Sequence, residues 1–490
     1  MKRSPYNGAA MSDLWSQQDA ELNDSYHTFI KHHPEYQKTR TIDTLRDQQY
    51  SRLDRQKHTY LDYTGGGLYA DSQIESHYQL LRDHVFGNPH SSNPSSKTMT
   101  RLVEEARLKV LTYFNASPDE YVAIFTSNAS GALKMVGEAY AFQKETTYLL
   151  TFDNHNSVNG IREFARSKSA NVIYVPVALP DLLPDHAILK KHLDTLPGKG
   201  GLFAFPAQSN FSGVQYDLQW IDYARERGWD VVLDAAAYVP TNSLDLSQVH
   251  PDFVPLSFYK MFGYPTGVGC LLARKDALQK LHRPWFSGGT ITVASVQGDT
   301  YVLAEGAEGF EDGTLNYLSL PAIKIGLELI EGVGINTLHQ RVMILTGWLL
   351  EQLHELKHRN GKQLIRIYGP LTTGHRGATL TMNFFDARGK FFDHRLIENI
   401  ANEWNISLRT GCFCNPGDRE IALELSENEM VTCFDHPEPR LTCEDFRLCI
   451  DGKSSGAVRI SLGMASNFPD AYRFLSFARQ FVDRRITDFS

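Results

Sequence analysis

The sequence predicts an α/β protein in which a large, mostly parallel sheet is followed by a smaller α+β unit. Two observations lead to this fold class. From Thr59 onward, short apolar and β-branched runs alternate with longer amphipathic stretches, which is typical of strands joined by helical crossovers. A long helical pattern at Ser319–Leu356 then separates these runs from a second, shorter set.

The strands of the large sheet are predicted from their apolar runs. They are Val122–Thr126, Tyr148–Phe152, Val172–Val177, Leu202–Phe205, Val231–Leu233, Phe253–Ser257 and Val268–Ala273. Amphipathic patterns between them predict helices at Gly131–Ala141, Gly160–Ser167 and Leu218–Arg227. Because parallel strands need crossover connections, we expect helices on both faces of the sheet. Such sheets bind their ligands at the carboxyl ends of the strands.

The length of 490 residues favours two domains after a lead-in segment. Residues 1–58 are polar and charged, and an amphipathic pattern there predicts a helix near Asp13–Phe29. Residues 59–355 are expected to form the large domain and residues 356–490 the small one. The small domain is predicted to contain strands at Ala378–Phe384, Ile406–Arg409 and Val458–Leu462, helices at Phe392–Trp404 and Asp470–Val482, and an irregular inserted loop near residues 418–453.

Charge and composition exclude several classes of partner. The formal net charge of -8 argues against a nucleic-acid surface, which needs clustered lysine and arginine. The apolar runs are too short to cross a bilayer, and the polar N-terminal segment does not contain the apolar core of a signal peptide. We therefore expect a cytoplasmic protein. Five of the six cysteines follow Gly411, a distribution unlike a secreted disulfide framework, so they are expected to be thiols.

Asp234 and Lys260 are the most informative pair of residues. Asp234 ends an apolar run, where a parallel strand delivers a side chain to the edge of a ligand site. A carboxylate there can keep the ring nitrogen of a pyridine cofactor protonated. Lys260 precedes a glycine-rich turn at a strand end and can react with a carbonyl group if its amine is held neutral. The alternative is a surface lysine and a helix-capping aspartate.

Two further segments extend this constellation. Phe125-Thr-Ser-Asn-Ala-Ser130 runs from a strand into a helix, and the N–H groups at a helix N-terminus form a phosphate cradle. His155 also follows a strand, and its flat imidazole suits stacking on a cofactor ring. A serine that only caps the helix and a loop histidine are the alternatives.

Taken in order, these segments resemble the fold-type I, class V aminotransferase family, which includes cysteine desulfurases and, with the greatest likeness, the N-terminal domain of molybdenum cofactor sulfurases. The resemblance runs from about Leu61 to Phe481. The segments that carry it are Tyr60-Leu-Asp-Tyr-Thr-Gly-Gly-Gly, Gly87-Asn-Pro-His-Ser, Phe205-Pro-Ala-Gln-Ser-Asn-Phe-Ser-Gly, Ser257-Phe-Tyr-Lys-Met-Phe-Gly-Tyr-Pro-Thr-Gly, Phe310-Glu-Asp-Gly-Thr, Arg409-Thr-Gly-Cys-Phe-Cys-Asn-Pro-Gly and Gly456-Ala-Val-Arg-Ile-Ser-Leu-Gly.

The resemblance implies a pyridoxal 5'-phosphate cofactor and a role for each matching residue. It implies that Lys260 binds the cofactor covalently, that Asp234 pairs with its pyridine nitrogen and that His155 stacks on its ring. The remaining cofactor contacts that it implies are Asn210 near the phenolic oxygen, Ala129, Ser130, Ser257 and Tyr259 around the phosphate, and Thr290 at the phosphate of a dimer partner. Arg459 is implied to bind the substrate carboxylate, for which a guanidinium fork is suited, with Arg409 as a second positive group.

Cys414 is the thiol that the resemblance assigns to sulfur transfer. A desulfurase thiolate attacks the sulfur of cofactor-bound cysteine, and a nearby cation such as Arg409 favours the thiolate. Cys412 is the rival position. A zinc site formed by the five cysteines after Gly411 is the alternative. Their spacings do not form the paired Cys-x-x-Cys motifs of zinc sites, so no metal is expected. The later cysteines, Cys433, Cys443 and Cys449, are expected to be inert thiols.

The resulting hypothesis is a cysteine desulfurase of the molybdenum cofactor sulfurase type. It would convert L-cysteine to alanine, leave a persulfide on Cys414 and pass the sulfur to a separate acceptor protein or cofactor. A homodimer is expected, with neither nucleic-acid nor membrane partners. Two alternatives remain open: another enzyme with the same cofactor, such as a C–S lyase or aminotransferase, and a non-catalytic scaffold.

Overall fold

The computed structural model describes residues 21–89, 91–196, 201–434, 449 and 456–489. The strands of the described residues are β1 (Thr59–Tyr60), β2 (Tyr121–Thr126), β3 (Thr147–Thr151), β4 (Asn171–Val175), β5 (Val177–Ala178), β6 (Leu183–Pro184), β7 (Leu202–Pro206), β8 (Asp230–Asp234), β9 (Phe253–Ser257), β10 (Gly269–Arg274), β11 (Ile291–Ser295), β12 (Thr300–Leu303), β13 (Ile365–Tyr368), β14 (Thr379–Phe384), β15 (Ile406–Ser407), β16 (Arg409–Gly411) and β17 (Ala457–Ser461).

The helices carry the crossovers and cover the sheets. They are α1 (residues 21–32), α2 (Thr41–Gln49), α3 (Arg52–Arg55), α4 (Asp71–Asp83), α5 (Pro94–Tyr113), α6 (Ala129–Ala139), α7 (Asn156–Asn159), α8 (Ile161–Ser167), α9 (His186–Thr195), α10 (Gln219–Arg225), α11 (Phe258–Phe262), α12 (Lys275–Leu278), α13 (Pro321–Val333), α14 (Ile335–Glu355), α15 (His394–Glu403), α16 (Pro416–Ala422), α17 (Glu427–Phe434) and α18 (Phe468–Arg479).

The large sheet contains all the strands predicted for it, in the order β2-β10-β9-β8-β7-β3-β4. The neighbours from β9 to β4 are parallel, whereas β10 is antiparallel to both β2 and β9. Strands β3, β7, β8 and β9 are buried at every residue, as expected for a sheet covered by helices on both faces. The predicted fold class is confirmed.

A second sheet, β13-β14-β17-β16, is antiparallel throughout. The predicted strand Ile406–Arg409 was wrong as one element, because its two halves belong to different sheets. β15 pairs with β1, whereas β16 begins at Arg409 and pairs with β17. The chain changes from one sheet to the other at Leu408. As a result β1, at the start of the large unit, pairs with β15 in the C-terminal part of the chain.

The long helical pattern at Ser319–Leu356 forms two helices rather than one. α13 ends at Val333 and α14 begins at Ile335, and Gly334 between them has φ +83°. Glycine adopts this left-handed conformation without steric cost, which makes it a common residue where a helix ends. The prediction of a continuous helix was therefore wrong at this glycine.

The segment after Cys414 is more ordered than predicted. Helices α16 and α17 occupy part of residues 418–453, where an irregular loop was expected. Cys433 and Cys449 form a disulfide with a Cα–Cα distance of 5.7 Å, so the expectation that both are thiols was wrong. The sequence separates them by 16 residues, and spacing alone does not reveal a pairing. Cys443 lies outside the described residues.

Two buried arginines join the lead-in segment to the rest of the protein. Arg341 of α14 donates hydrogen bonds to both carboxylate oxygens of Asp43, at 2.6 and 2.8 Å, and its guanidinium lies over the Tyr36 ring. Arg46 of α2 donates to Asp470 of α18 at 2.6 Å. The predicted helix near Asp13–Phe29 is helical from residue 21 onward, and its earlier part lies outside the described residues.

Gly269 lets β10 approach the start of α6. A Cβ atom added at Gly269 would lie 2.5 Å from the Cα atom of Asn128, and backbone cannot move aside cheaply. We expect Gly269→Ala to lower the free energy of unfolding by about 1–3 kcal/mol, measured by urea denaturation. The matched control is Gly332→Ala in α13, where the new Cβ meets nothing within 4 Å. That change should raise the free energy of unfolding by up to about 1 kcal/mol, and equal changes in both variants would contradict the steric argument.

In the part of the chain that the structure describes, no helix combines the length and the apolar character needed to span a bilayer.

Candidate active site

A cleft opens at the carboxyl ends of β8 and β9. Most of the residues that the sequence assigns to a cofactor meet in it. The predicted residues that line this cleft are Ala129, Ser130, His155, Asn210, Asp234, Ser257, Tyr259 and Lys260. Residues far apart in the chain thus converge because parallel strands end at one edge of the sheet.

Lys260 lies on α11, the short helix that follows β9 directly. Burial lowers the pKa of Lys260 below its ordinary value, and the charge of Asp234 only partly opposes this effect. A lowered pKa increases the neutral fraction of the amine, which is the form that attacks a carbonyl carbon. The carbonyl oxygen of Tyr259 accepts a hydrogen bond from the Gly67 N–H at 2.9 Å, which fixes the helix against the triple-glycine turn.

The start of α6 forms the opposite wall of the cleft. Asn128 caps the helix by accepting a hydrogen bond from the Gly131 N–H at 2.9 Å. The Ala129 N–H donates to the hydroxyl oxygen of Ser257 at 2.9 Å, which links this helix to β9. The hydroxyls of Ser130 and Ser157 lie 2.6 Å apart at the mouth of the cleft. A helix N-terminus with hydroxyls beside it attracts a phosphate group.

His155 and Asp234 lie between these two walls. The Nδ1 atom of His155 accepts a hydrogen bond from the Ser157 N–H at 3.1 Å, so the neutral ring carries its proton on Nε2. Burial and the charge of Lys260 lower the pKa of His155, which favours this neutral form. Asp234 ends β8, and its Oδ1 accepts a hydrogen bond from the Ala236 N–H at 3.1 Å.

These groups fit pyridoxal phosphate. The amine with a lowered pKa matches the aldehyde of that molecule, and the carboxylate matches its pyridine nitrogen. The neutral imidazole matches the face of its ring, and the helix N-terminus matches its phosphate. Each lies within the lining of one cleft. Ser257 adds a hydroxyl group beside the helix N-terminus, where the phosphate would lie, and Tyr259 lines the same cleft.

Two arginines meet at one carboxylate beside the cleft. Arg459 of β17 is 2% exposed, and its Nη2 donates to Asp62 Oδ1 at 3.1 Å. Arg409 approaches Asp62 from the other side, with Nη2 2.7 Å from Oδ2, and its side chain is 49% exposed. Burial lowers the pKa of Arg459 to about 10. Its Nε is buried and has no hydrogen-bond partner among the described residues.

Phe413 covers Arg459. The guanidinium carbon lies 4.7 Å from the centre of the Phe413 ring, a cation–π contact. The backbone carbonyl of Phe413 also accepts a hydrogen bond from the Asn210 side-chain amide at 2.7 Å. Asn210, predicted to lie near the cofactor's phenolic oxygen, lines the cleft and at the same time binds the segment that carries Cys414.

Residues 411–415 form the Cys414 segment, which bends sharply beside His155. Gly411, Phe413 and Cys414 have φ values of +108°, +55° and +54°. The Asn156 N–H donates to the Cys414 carbonyl oxygen at 2.7 Å, so the segment rests on the helix that follows His155. Cys414 is exposed, and its charged form opposes the lowering of the Lys260 pKa. Cys412 is less exposed than Cys414.

Thr290 lies outside the cleft lining. Its hydroxyl donates to the Ser287 carbonyl oxygen at 2.8 Å and accepts from the Ser287 N–H at 2.9 Å, within the turn before β11. Among the described residues, no group of three or more histidines, cysteines and acidic residues is arranged to hold a metal ion.

Comparison with known proteins identifies the family of this chain. The model of the family "Aminotransferase class-V" matches residues 59–474. The chain belongs to the class-V aminotransferase family. Pyridoxal phosphate is the cofactor of this class-V protein, and the cleft at β8 and β9 is the place that fits it.

Named relatives of this class-V protein include the molybdenum cofactor sulfurase of Solanum lycopersicum, 37% identical over 469 residues, which cover 89% of this chain and 57% of the tomato protein. The molybdenum cofactor sulfurase of Homo sapiens is 36% identical over 90% of this chain and 51% of its own length. The chain thus spans a little over half the length of these relatives. The apo structure of a cysteine desulfurase from Thermococcus onnurineus NA1 has the same fold, with a TM-score of 0.72, 22% identity, and coverage of 90% of this chain and 98% of that one.

Sequence reasoning missed several residues of the site. Asp62 stands in the quoted Tyr60-Leu-Asp-Tyr segment, but nothing local shows that it meets Arg409 and Arg459. Asn415 precedes Pro-Gly, a signal for a helix cap, and its Oδ1 does accept a hydrogen bond from the Asp418 N–H at 3.1 Å. The position of Phe413 over Arg459 left no sequence signal, because an aromatic residue in a cysteine-rich loop is ordinary.

Proposed function

We propose that the chain is a pyridoxal-phosphate-dependent cysteine desulfurase of the molybdenum cofactor sulfurase type. It releases alanine from L-cysteine and leaves a persulfide on Cys414, from which the sulfur passes to a separate acceptor protein or cofactor. The observation that carries the proposal is the exposed Cys414 thiol, which lies beside the helix that follows His155 and close enough to Lys260 for its charge to act on that amine.

The residues of the cleft divide the work. Lys260 would hold the cofactor and move a proton at the substrate, Asp234 would pair with the pyridine nitrogen, and His155 would stack on the ring. Ala129, Ser130, Ser257 and Tyr259 would hold the phosphate, and Asn210 would lie near the phenolic oxygen. Bound pyridoxal phosphate supplies an electron sink that weakens bonds next to the substrate's amine-bearing carbon. Arg459 and Arg409 attract the carboxylate of the amino acid.

The sulfur step is a displacement at the substrate sulfur. The Cys414 thiolate attacks that sulfur and forms an S–S bond, while the bond between Cβ and sulfur breaks. The electron pair of the broken bond stays with the substrate, whose carbon takes up a proton and leaves as alanine. One L-cysteine and one thiol thus give one alanine and one persulfide, with no external oxidant or reductant.

Product analysis tests the proposal. The purified protein, reconstituted with pyridoxal phosphate, is incubated with L-cysteine, and alanine, sulfide and pyruvate are measured together with the mass of the Cys414 peptide. We expect alanine and one added sulfur atom on that peptide. Pyruvate in place of alanine would replace the proposal with a C–S lyase, and a protein that binds no cofactor and forms no product would be the scaffold.

A homodimer is part of the proposal. The hairpin β11–β12 exposes apolar side chains that a monomer would leave in water: Val293, Val296 and Val302 are 59%, 99% and 54% exposed. Thr290 lies directly before this hairpin, which is consistent with the proposed contact to the phosphate in a partner subunit. Apolar patches of this kind are typical of protein–protein interfaces.

The double substitution Val296→Glu and Val302→Glu is expected to convert the dimer to a monomer, because it would bury two carboxylates in the interface. Molar mass from light scattering would fall by half. Val431→Glu is the matched control, since Val431 is 60% exposed and lies on helix α17 and not on the hairpin, and it should leave the mass unchanged. A wild-type monomer, or a double variant with the mass of a dimer, would refute this interface.

The domain division and the compartment complete the proposal. We assign residues 1–58 to the lead-in, residues 59–355 to the large cofactor domain and residues 356–490 to the small domain; the two main sheets fall in the latter two parts. The cytoplasm is the proposed compartment because a sulfur-accepting Cys414 must stay reduced between turnovers, as thiols do there. The disulfide between Cys433 and Cys449 is the feature that argues for an oxidising compartment instead. Fractionation of cells that make the tagged protein tests the compartment.

A further inference from the structure

Two buried carboxylates lie beneath the Cys414 segment. Asp153 follows β3 and precedes His155 by two residues, and Asp418 lies in the first turn of α16, directly after the segment. Both are fully buried. The activity proposed above uses neither of them. Buried aspartates normally have a cation or several donors as partners, so a pair without a cation requires an explanation.

Each carboxylate has one satisfied and one unsatisfied oxygen. Asp153 Oδ1 accepts a hydrogen bond from the Tyr216 hydroxyl at 2.6 Å, and Asp418 Oδ2 accepts one from the Ser209 hydroxyl at 2.6 Å. Asp153 Oδ2 and Asp418 Oδ1 are buried, and among the described residues neither has a hydrogen bond of ordinary geometry. Two buried acceptors without donors are unfavourable unless one of them carries a proton.

The groups that face the pair are neutral. Hydroxyls of Thr151 and Tyr216 face Asp153, and those of Ser209 and Ser212 face Asp418. In the described part of the chain neither carboxylate forms an ion pair with lysine, arginine or histidine. Burial raises the pKa of Asp153 to about 6, and burial together with Asp153 raises the pKa of Asp418 well above its ordinary value. A negative charge on Asp153 therefore disfavours the ionisation of Asp418, and no cation among the described residues pairs with either carboxylate to offset it.

Asn415 connects this pair to the Cys414 segment. Its side-chain amide donates to the Asp153 carbonyl oxygen at 2.8 Å and to Asn210 Oδ1 at 3.0 Å, and its Oδ1 accepts from the Asp418 N–H at 3.1 Å. Phe413 and Cys414, immediately before it, both have positive φ. Non-glycine residues keep that conformation only where the surroundings hold them in it.

We propose that Asp153 and Asp418 share one proton and that this shared proton holds α16, and with it the Cys414 segment, against the strand that leads to His155. Both aspartates are positioning residues, because they act on Cys414 through Asn415 and the helix. The role of Cys414 as the sulfur acceptor rests on the proposed function, whereas the shared proton does not.

The pair makes the position of Cys414 dependent on pH. At neutral pH one proton bridges the two carboxylates. As the pH rises and the pair loses that proton, two negative charges repel each other and α16 moves away from β3. The folded chain keeps a proton that the unfolded chain gives up in the ordinary range of aspartate, so the stability of the fold also falls as the pH rises.

The experiment is the alkylation of Cys414 by iodoacetamide in the protein reconstituted with pyridoxal phosphate, followed by mass spectrometry of the modified residue. The rate is measured from neutral to alkaline pH for the wild type and for Asp418→Asn. The asparagine amide supplies a permanent hydrogen bond in place of the shared proton. Ionisation of the thiol affects both proteins alike, so the ratio of their rates isolates the position of the segment.

We expect the ratio of the wild-type rate to the Asp418→Asn rate to rise several-fold towards alkaline pH. A ratio that stays constant across the range overturns the proposal. Asp252→Asn is the matched control, because Asp252 is a buried carboxylate whose pKa burial raises to about 7, but it lies at the opposite edge of the sheet. This variant should keep the wild-type profile, and a profile like that of Asp418→Asn would equally overturn the proposal.

Asp153→Asn should give the same result from the other side of the pair. If neither pair variant folds, infrared spectroscopy of the wild type decides: a protonated carboxyl band that disappears between neutral and alkaline pH supports the pair, and its absence overturns it. Alkylation needs no desulfurase activity. Failure to form alanine would therefore count against the proposed function alone, and a flat alkylation ratio against the carboxylate pair alone.

Discussion

Replacing Lys260 by alanine is expected to abolish the visible absorbance of the bound cofactor and to lower alanine formation by on the order of 10²–10⁴-fold, the range that one proton-transferring group contributes. Lys260 is the amine of the cleft whose pKa burial lowers, and it lies directly after β9 beside Asp234. Its loss removes both the covalent attachment and the group that moves a proton at the substrate. Absorbance after reconstitution and kcat with L-cysteine are the measurements.

Lys134→Ala is the control for this prediction. Lys134 lies on α6, its side chain is 65% exposed, and its amine pairs with Glu138, whose side chain is 9% exposed. Lys134 is not among the residues that line the cleft. The control should keep the wild-type absorbance and rate. If Lys260→Ala also kept them, the assignment of the cofactor lysine to Lys260 would be wrong.

Replacing Cys414 by serine is expected to eliminate the persulfide and to reduce alanine formation to a small residual rate, while cofactor absorbance stays unchanged. Serine has nearly the same size, but its hydroxyl is a far weaker nucleophile at neutral pH than a thiolate. Mass spectrometry of the peptide after exposure to L-cysteine and the rate of alanine release are the two measurements. Unchanged absorbance would locate the defect in the sulfur step.

Cys412→Ser distinguishes the two neighbouring thiols. Cys412 is less exposed than Cys414, and its carbonyl oxygen accepts a hydrogen bond from the Asn415 N–H at 3.0 Å. We expect this variant to form the persulfide on Cys414 as the wild type does. Added sulfur that disappears in Cys412→Ser but persists in Cys414→Ser would exchange the two assignments.

The large sheet could be predicted because its strands are buried on both faces and therefore read as continuous apolar runs. The cofactor residues followed for the same reason: Asp234, His155 and Lys260 each come directly after such a run, and the ends of parallel strands meet at one edge. The apolar runs, together with the rule that the carboxyl ends of parallel strands lie at one edge of a sheet, were enough to predict that these three residues share a site. Exposed elements such as the hairpin β11–β12 lack this signal, because their apolar residues face outward and not into a core.

Contacts between distant side chains could not be predicted in this way. Asp62 joins Arg409 and Arg459, and Asn415 links Asp153 to Asp418, only after the antiparallel sheet has folded against the large one. The disulfide between Cys433 and Cys449 depends likewise on how the chain after α17 returns. The break at Gly334 is different, since a glycine within a helical pattern is a readable signal that a helix can end there.

The buried arginines Arg46 and Arg341, which join the lead-in segment to the rest of the protein, limit how far this protein can be shortened. A version beginning at residue 59 would lack Asp43, the partner of Arg341, and Arg46, the partner of Asp470. The Arg46–Asp470 pair is buried on both sides, and breaking a buried pair costs about 3–5 kcal/mol, a large part of the stability of an ordinary domain. It would also remove Phe29, whose ring stacks on Phe468 at 4.5 Å. Residues 29–46 therefore pack against both α14 and α18, and removing them for expression or crystallisation would destabilise the fold that carries the cleft.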